Sequence, residues 1–403
     1  MTIFDVGIIG AGVAGSFATY KISKEYKNVK TIVFDLGRPP MKRRRQLEGW
    51  LGCLPNSDGK LYLTDIDKVA NLTGLRKAKS SFTYFNNILK NINDYKIIVD
   101  KKPQVSVEKK FKKAGYDIQL NDYMQIFPSD IHALSKYMAE FIEKNNNIHF
   151  SFDNEIKQIH KQKNYFVITS DNQEFKCKKI IIATGRSGWR WSSQLFNNFR
   201  LIENNDTAKY GIRIEINSDL MKEFNKSNCS ITRGNDLELG PFSWNGTVIP
   251  EDHVDMAISA FRSNENRWKT DKLSFSLIGN RPFPGKGFEQ TDRIAKLTFI
   301  LSNDRIIKEK ISNILNGKSK ISIIPEYDWL KTEIKNLSTL MPELVSKGHF
   351  HVPTIMPLAP KINIGSNLET EVEGMHVVGE SAGITGIVSA AISGMACVDF
   401  IFN

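Results

Sequence analysis

Cysteine is scarce: only Cys53, Cys177, Cys229 and Cys397 occur in 403 residues. They form no C-x-x-C pair and no zinc-type spacing. This excludes a disulfide scaffold and argues against a dithiol relay, and it predicts a reducing, cytoplasmic setting. Glycine and proline, 27 and 14 residues, are too few for a collagen-like or disordered chain. No internal repeat or low-complexity tract occurs. Residues 1–15 lack a positive segment and carry Asp5, so no targeting peptide is expected. The longest apolar stretch, 383–402, is long enough to span a bilayer, but it holds three glycines and Asp399, so no membrane span is expected.

What is present suits a globular chain. Hydrophobic residues are 41% and charged residues 25%, enough for a sizeable core. The length favours two to three domains, or one large domain carrying an insertion. The net charge of +11 is mostly scattered lysine, with local clusters at 42–45 and 109–113. These do not line up into the single basic stripe of a nucleic-acid-binding face.

Residues 3–9 read as a buried strand, about 13–26 as a helix and 30–35 as a second strand, a βαβ unit of nucleotide-binding size. An irregular loop over 38–62 follows, then a helical and irregular excursion at about 64–127. A helix starts at Ser129 or Asp130, and four strand-like runs occupy 149–152, 155–161, 166–170 and 179–182. Residues 187–350 are more aromatic and more alternating, and residues 351–403 return to apolar strand, glycine turn and helix. The expected domains are therefore 1–186, an inserted strand-rich α+β substrate domain at 187–350, and a closing segment at 351–403.

The sharpest motif is Gly10-Ala11-Gly12-Val13-Ala14-Gly15, between the first strand and the first helix, with Asp35 ending the next strand. Gly10 permits the tight turn, Gly12 lets a pyrophosphate approach the backbone, and Gly15 lets helix and strand pack closely. Asp35 can accept both ribose hydroxyls, and its charge opposes a 2′-phosphate. NAD and FAD share this fingerprint. Later features favour FAD: an apolar strand runs into Ala183-Thr184-Gly185, and a second ends in Gly379-Glu380 before a Gly/Ser/Ala-rich helix start.

With the strand runs before Ala183, this order resembles the glutathione-reductase-like FAD superfamily. The resemblance implies an α/β fold: a Rossmann-like FAD-binding domain of parallel sheet plus β-meander. It implies that Gly379 and Glu380 hold the ribityl and pyrophosphate part, and that Gly386, Ile387 and Val388 point the last helix at the flavin. A helix N-terminus would supply unpaired N–H donors to the negative edge of a reduced flavin. The superfamily usually has Asp where this chain has Glu380. Ser57-Asp58-Gly59-Lys60, Gly185-Arg186-Ser187-Gly188 with Trp191, the run 210–215, and Pro241 to Val248 followed by Glu251 resemble the FAD-utilising dehydrogenase family, distantly similar to geranylgeranyl reductases. By that resemblance Ile156 brings its backbone to the adenine, Gly59 lies in a cofactor-contacting loop, and Arg38, Arg44 and Arg45 lie near the phosphates. A solvated basic loop is the other reading of those arginines.

Catalytic signals are weaker, because flavin performs the hydride chemistry itself. Lys60 could pair with flavin charge or substrate, or lie on the surface. Arg213 and Glu215 alternate on a strand and so share a face, as a pair beside the flavin or an ordinary sheet pair. His253 and Arg262 could face substrate. His349 and His351 lack a third ligand at metal spacing, so no metal is expected. Cys53 could act as a nucleophile. There is no second G-x-G-x-x-G, so NAD(P)H would bind transiently over the flavin, or a redox partner protein would bring electrons. The leading expectation is an FAD-dependent oxidoreductase moving hydride between flavin N5 and a small organic substrate. The alternatives are a tRNA- or RNA-modifying flavoprotein and a non-catalytic FAD-binding interaction or sensor protein.

Overall fold

The computed structural model describes residues 2–40, 42, 46–171, 173–203, 205–253, 255–262, 269–303, 305–356 and 359–403. Two large sheets organise the chain. In the first, Ile3–Ile9 lies between Thr31–Phe34 and Glu174–Ile182, with Ile148–Ser151 and Met375–Val377 outside them, all parallel. Thr31–Phe34 and Met375–Val377 are buried at every position, as expected of parallel strands covered on both faces. The first half of Glu174–Ile182 also starts an antiparallel meander with Tyr165–Ser170 and Ile156–Gln162.

The helix Val13–Glu25 crosses the closing helix Ile387–Phe402 so closely that a Cβ at Gly394 would lie 2.2 Å from Ala14 O. The closing helix is apolar nearly all round because it is also flanked by Asp65–Thr73 and Leu75–Leu89. Its one acid, Asp399, is buried and paired with Lys21 at 2.6 Å and Lys77 at 3.3 Å. No helix among the described residues is long and apolar enough to cross a membrane.

The second sheet is antiparallel, in the order Ile307–Lys310, His349–Ile355, Thr207–Asn217, Lys272–Pro282, Leu237–Leu239, Ser230–Arg233 and Asp117–Gln119. Its core includes Phe224, Phe242 and Phe275, the last two stacked at 4.5 Å. Residues 105–119 depart from their expected place in the 1–186 domain. The helix Val105–Lys113 sends Val107 and Phe111 into this second core, and Asp117–Gln119 pairs with Ser230–Arg233. His349–Ile355 lies inside this sheet, across the expected boundary at 350.

Two buried histidines set a pH limit. Burial pushes His351 down to about 3 and His376 to about 4. Both are neutral in the fold, whereas the unfolded chain protonates them below about pH 6.5. Their stabilising effect is therefore complete above that value and is lost as the pH falls towards 4. We expect urea midpoints measured between pH 6 and 4 to report a loss of about 2 kcal/mol per pH unit. A flat profile there would contradict the burial of these rings.

Candidate functional site

The glycine turn is built from backbone approach. Gly10 takes φ +103°, and a Cβ there would lie 2.5 Å from Ala183 O. A Cβ at Gly15 would lie 1.9 Å from Gly10 O. At Gly12 the nearest atoms to a Cβ are 3.9 Å away, so this glycine faces an opening. The helix Val13–Glu25 starts with no side-chain cap and no acid in its first turn. Its N–H groups are left to an anion.

Asp35 fixes this turn from below. Its carboxylate accepts the N–H groups of Ala11 at 2.6 Å and of Gly37 and Gly49 at 2.7 Å. It therefore ties the turn to the loop that follows while still lining the cavity beside it. Asp35→Ala removes an ionised acceptor from three amides, at a cost of about 2–4 kcal/mol. FAD titration of this variant should give at least tenfold weaker binding, together with a lower urea midpoint. Unchanged values would remove Asp35 from the site.

Three cavities follow one another. The first, about 320 Å³, lies between Gly10, Asp35, Ile156, Thr184, Trp191 and His253. The second, about 200 Å³, is lined by Gly12, Val13, Ala14, Gly185, Gly379 and Gly386. The third, about 210 Å³, is lined by Asp58, Arg213, Ser243, Ser259, Phe261 and Thr354. Thr184 and Ser187 belong to the walls of the first two, and Cys53, Arg186 and Glu251 to those of the last two. The trough thus runs from the first sheet to the second, past an uncapped helix N-terminus. Its first two parts match an adenosine and a pyrophosphate in that order, and so these residues fit FAD.

Of the expected cofactor residues, Gly10, Gly12, Val13, Ala14, Asp35, Ile156, Ala183, Thr184, Gly185, Gly379, Glu380, Gly386 and Ile387 line this trough. Gly15 acts beneath it through helix packing. The carbonyl of Ile156 is occupied by Trp191 Nε1. Val388 does not line the trough: it is wholly buried in the core, on the inner side of the closing helix. The start of that helix is also partly occupied. The buried Asp65 carboxylate is hydrogen-bonded by Ser389, and a Cβ at Gly386 would lie 2.1 Å from it. Burial raises the Asp65 carboxyl against the opposing pull of Lys68.

Gly59 is away from the trough: it turns at φ +67° against Ile126 O, while Ser57 and Asp58 before it line the third cavity. Arg38 is half-exposed and pairs with Asp153 at 3.2 Å. Arg44 and Arg45 lie outside the described residues.

Among the expected catalytic residues, Arg213 and Cys53 line the third cavity. Lys60 points into a different, polar cavity beside Tyr123 and Trp244. Its ammonium bonds to Asn228 Oδ1, Phe242 O and Ser243 Oγ, and burial lowers its pKa against Asp58 and Asp100. Glu215 forms no pair with Arg213. It accepts from Lys308 at 3.2 Å and lies 3.8 Å from His351 Nε2, because the neighbouring strands supply its partners. His253 faces the first cavity and meets Glu251 at 3.2 Å. Arg262 is exposed at the end of the hairpin Thr247–Asp252 and Ala257–Arg262.

The central charged group is Arg186, directly after the Ala-Thr-Gly turn. Its Nε donates to both oxygens of Glu380 at 3.1 Å, and its Nη1 reaches Glu251 at 3.2 Å. Burial alone would lower this guanidinium, and the two carboxylates more than reverse it. Burial alone would raise Glu251, but Arg186 and His253 hold it at about 2. Arg186 thus joins the Gly379-Glu380 turn to the separate hairpin of Thr247–Asp252 and Ala257–Arg262. Sequence reasoning quoted Arg186 and Glu251 without giving them a role. The available signal was an arginine placed directly after Gly185 in an apolar strand's exit turn.

The family model described as glucose inhibited division protein A matches residues 125–228, about a quarter of the chain. No curated protein matches the sequence. Among solved structures, glycine oxidase from Geobacillus kaustophilus is similar over 100% of this chain and 95% of its own, at 13% identity and TM-score 0.44. A flavoprotein/dehydrogenase from Cytophaga hutchinsonii is similar over 98% and 76%, at 13% and 0.45. The halogenase PltM, in complex with phloroglucinol and FAD, is similar over 98% and 68%, at 14% and 0.45. The architecture of this chain is mixed α/β with an FAD-binding domain of Rossmann type.

Proposed function

We propose that this chain is an FAD-dependent oxidoreductase acting on a small organic substrate in the third cavity. The observation that carries this reading is the continuous trough from Asp35, past the uncapped start of Val13–Glu25, to the Arg213 cavity. When bound, FAD supplies a two-electron acceptor or donor that the amino acids themselves lack. Asp35 and the glycine turn would hold its adenosine and pyrophosphate, and Glu380, fixed by Arg186, would border its ribityl part. Arg186 pairs with Glu251 at the junction of the second and third cavities and holds that carboxyl ionised, so Glu251 is not a proton donor there at neutral pH. Among the described residues Arg213 is a cation of the third cavity without a carboxylate partner, and it would orient the substrate. The motif resemblance to FAD-utilising dehydrogenases supports the dehydrogenase form of the reaction. Electrons would come from transient NAD(P)H or from a redox partner.

Anaerobic mixing of the FAD-loaded protein with NADH, NADPH and candidate donors tests this reading. Bleaching of the flavin band by one of them is the expected result. Purified protein that neither carries FAD nor takes it up on reconstitution would overturn the assignment.

A further inference from the structure

Arg213 projects from Thr207–Asn217 into the third cavity with most of its donors unused. Among the described residues its one hydrogen bond runs from Nε to Ser259 O at 3.4 Å, and neither a carboxylate at ion-pair distance nor an acceptor for the Nη groups occurs. Burial pushes the guanidinium down to about 10, with Arg186 adding to the effect and Asp58 opposing it, so it is charged at neutral pH. The planar fork opens onto the cavity, where an oxyanion can complete it.

Several other polar groups of the cavity are committed. Arg186 is held by Glu251 and Glu380. Asp58 accepts from Lys60 N at 3.1 Å and Ser243 Oγ at 3.4 Å. Ser259 Oγ lies 2.6 Å from Thr354 Oγ1 and donates to Pro353 O at 2.9 Å. Much of the remaining wall is apolar: Ile249, Ile258, Ala260, Phe261, Ile355 and Met356.

The geometry points to a small carboxylic acid as the substrate class, its carboxylate forked on the two Nη groups of Arg213 and its apolar body against Ile258, Phe261 and Met356. A carboxylate matches one guanidinium in shape and charge. A phosphate dianion would call for more positive charge than this cavity offers, where Asp58 faces Arg213 and Arg186 is already paired with Glu251 and Glu380. The proposal rests on the oxidoreductase reading, since that reading makes the third cavity the substrate's place.

The test titrates FAD-loaded protein with propionate, succinate, benzoate, propionamide, benzamide and inorganic phosphate, followed by calorimetry and by the flavin spectrum. At least one acid should bind at least tenfold tighter than its amide and than phosphate. Arg213→Met should weaken that acid at least tenfold with FAD content unchanged, and Arg213→Lys, which keeps the charge but not the fork, should fall between. Four results would overturn the proposal: no acid binds, acid and amide bind alike, phosphate binds as well as the acids, or the Arg213 variants lose FAD instead of the acid. FAD content is read before any acid is added. A wild-type protein that takes up no FAD therefore overturns the oxidoreductase reading separately.

Discussion

Gly12→Ala should yield a folded protein that has lost FAD, with affinity lowered at least a hundredfold. Gly12 has φ −64° and ψ −167°, which alanine adopts without strain, and its Cβ would meet nothing closer than 3.9 Å. The added methyl fills only the space that a pyrophosphate needs at the uncapped helix start. Gly15→Val should behave differently. Its Cβ would lie 1.9 Å from Gly10 O, a backbone atom that no rotamer change can move aside. Overpacking of that kind should cost more than about 4 kcal/mol and leave little folded protein. Circular dichroism and FAD titration of the two variants separate binding from folding. If Gly12→Ala retains wild-type affinity, the pyrophosphate lies elsewhere.

Arg186→Met should give the largest loss of stability of any charged-residue substitution at the site. It leaves Glu251 and Glu380 facing each other across a poorly solvated junction without their shared cation. Removing one partner of a buried pair costs about 3–5 kcal/mol. Adding Glu251→Gln should return part of that loss, giving a coupling energy on the order of 1–3 kcal/mol in a double-mutant cycle. Urea unfolding of the two single variants and the double variant measures it. Additive losses would mean that the Arg186–Glu251 contact does not tie the Gly379-Glu380 turn to the hairpin.

How much of this was legible in the sequence follows from the range of the interactions. The strand, glycine turn, helix and following Asp35 are specified locally, by apolar runs and by turns that only glycine satisfies, and they occur where the residues predict. The strand-like runs at 155–161 and 166–170 do form meander strands, but the run at 149–152 pairs in parallel with Thr31–Phe34, and the third meander strand starts at Glu174 rather than 179. The 105–119 segment was not legible, because Asp117–Gln119 becomes a strand edge only by meeting Ser230–Arg233, more than a hundred residues away. Arg213 and Glu215 do share a face, as period two requires. Their partners come from neighbouring strands, and those partners separate their roles. Lys60 likewise follows Asp58 in a loop that lines the trough, yet the strand pairing of Lys60–Tyr62 with Tyr123–Gln125 turns it towards another cavity. Local turn chemistry was readable, whereas long-range pairing decided which charged groups reach the trough.

The closing helix has a consequence for how the protein is made. Val13–Glu25 leaves a ribosome more than 350 residues ahead of Ile387–Phe402, which covers its buried surface. At typical elongation rates that interval is on the order of tens of seconds. For that time the nascent helix presents a sticky apolar flank, while the intervening antiparallel sheet has already left the exit tunnel almost whole. A dependence on chaperones during translation, concentrated on Val13–Glu25, is built into a domain whose two packed helices are made so far apart.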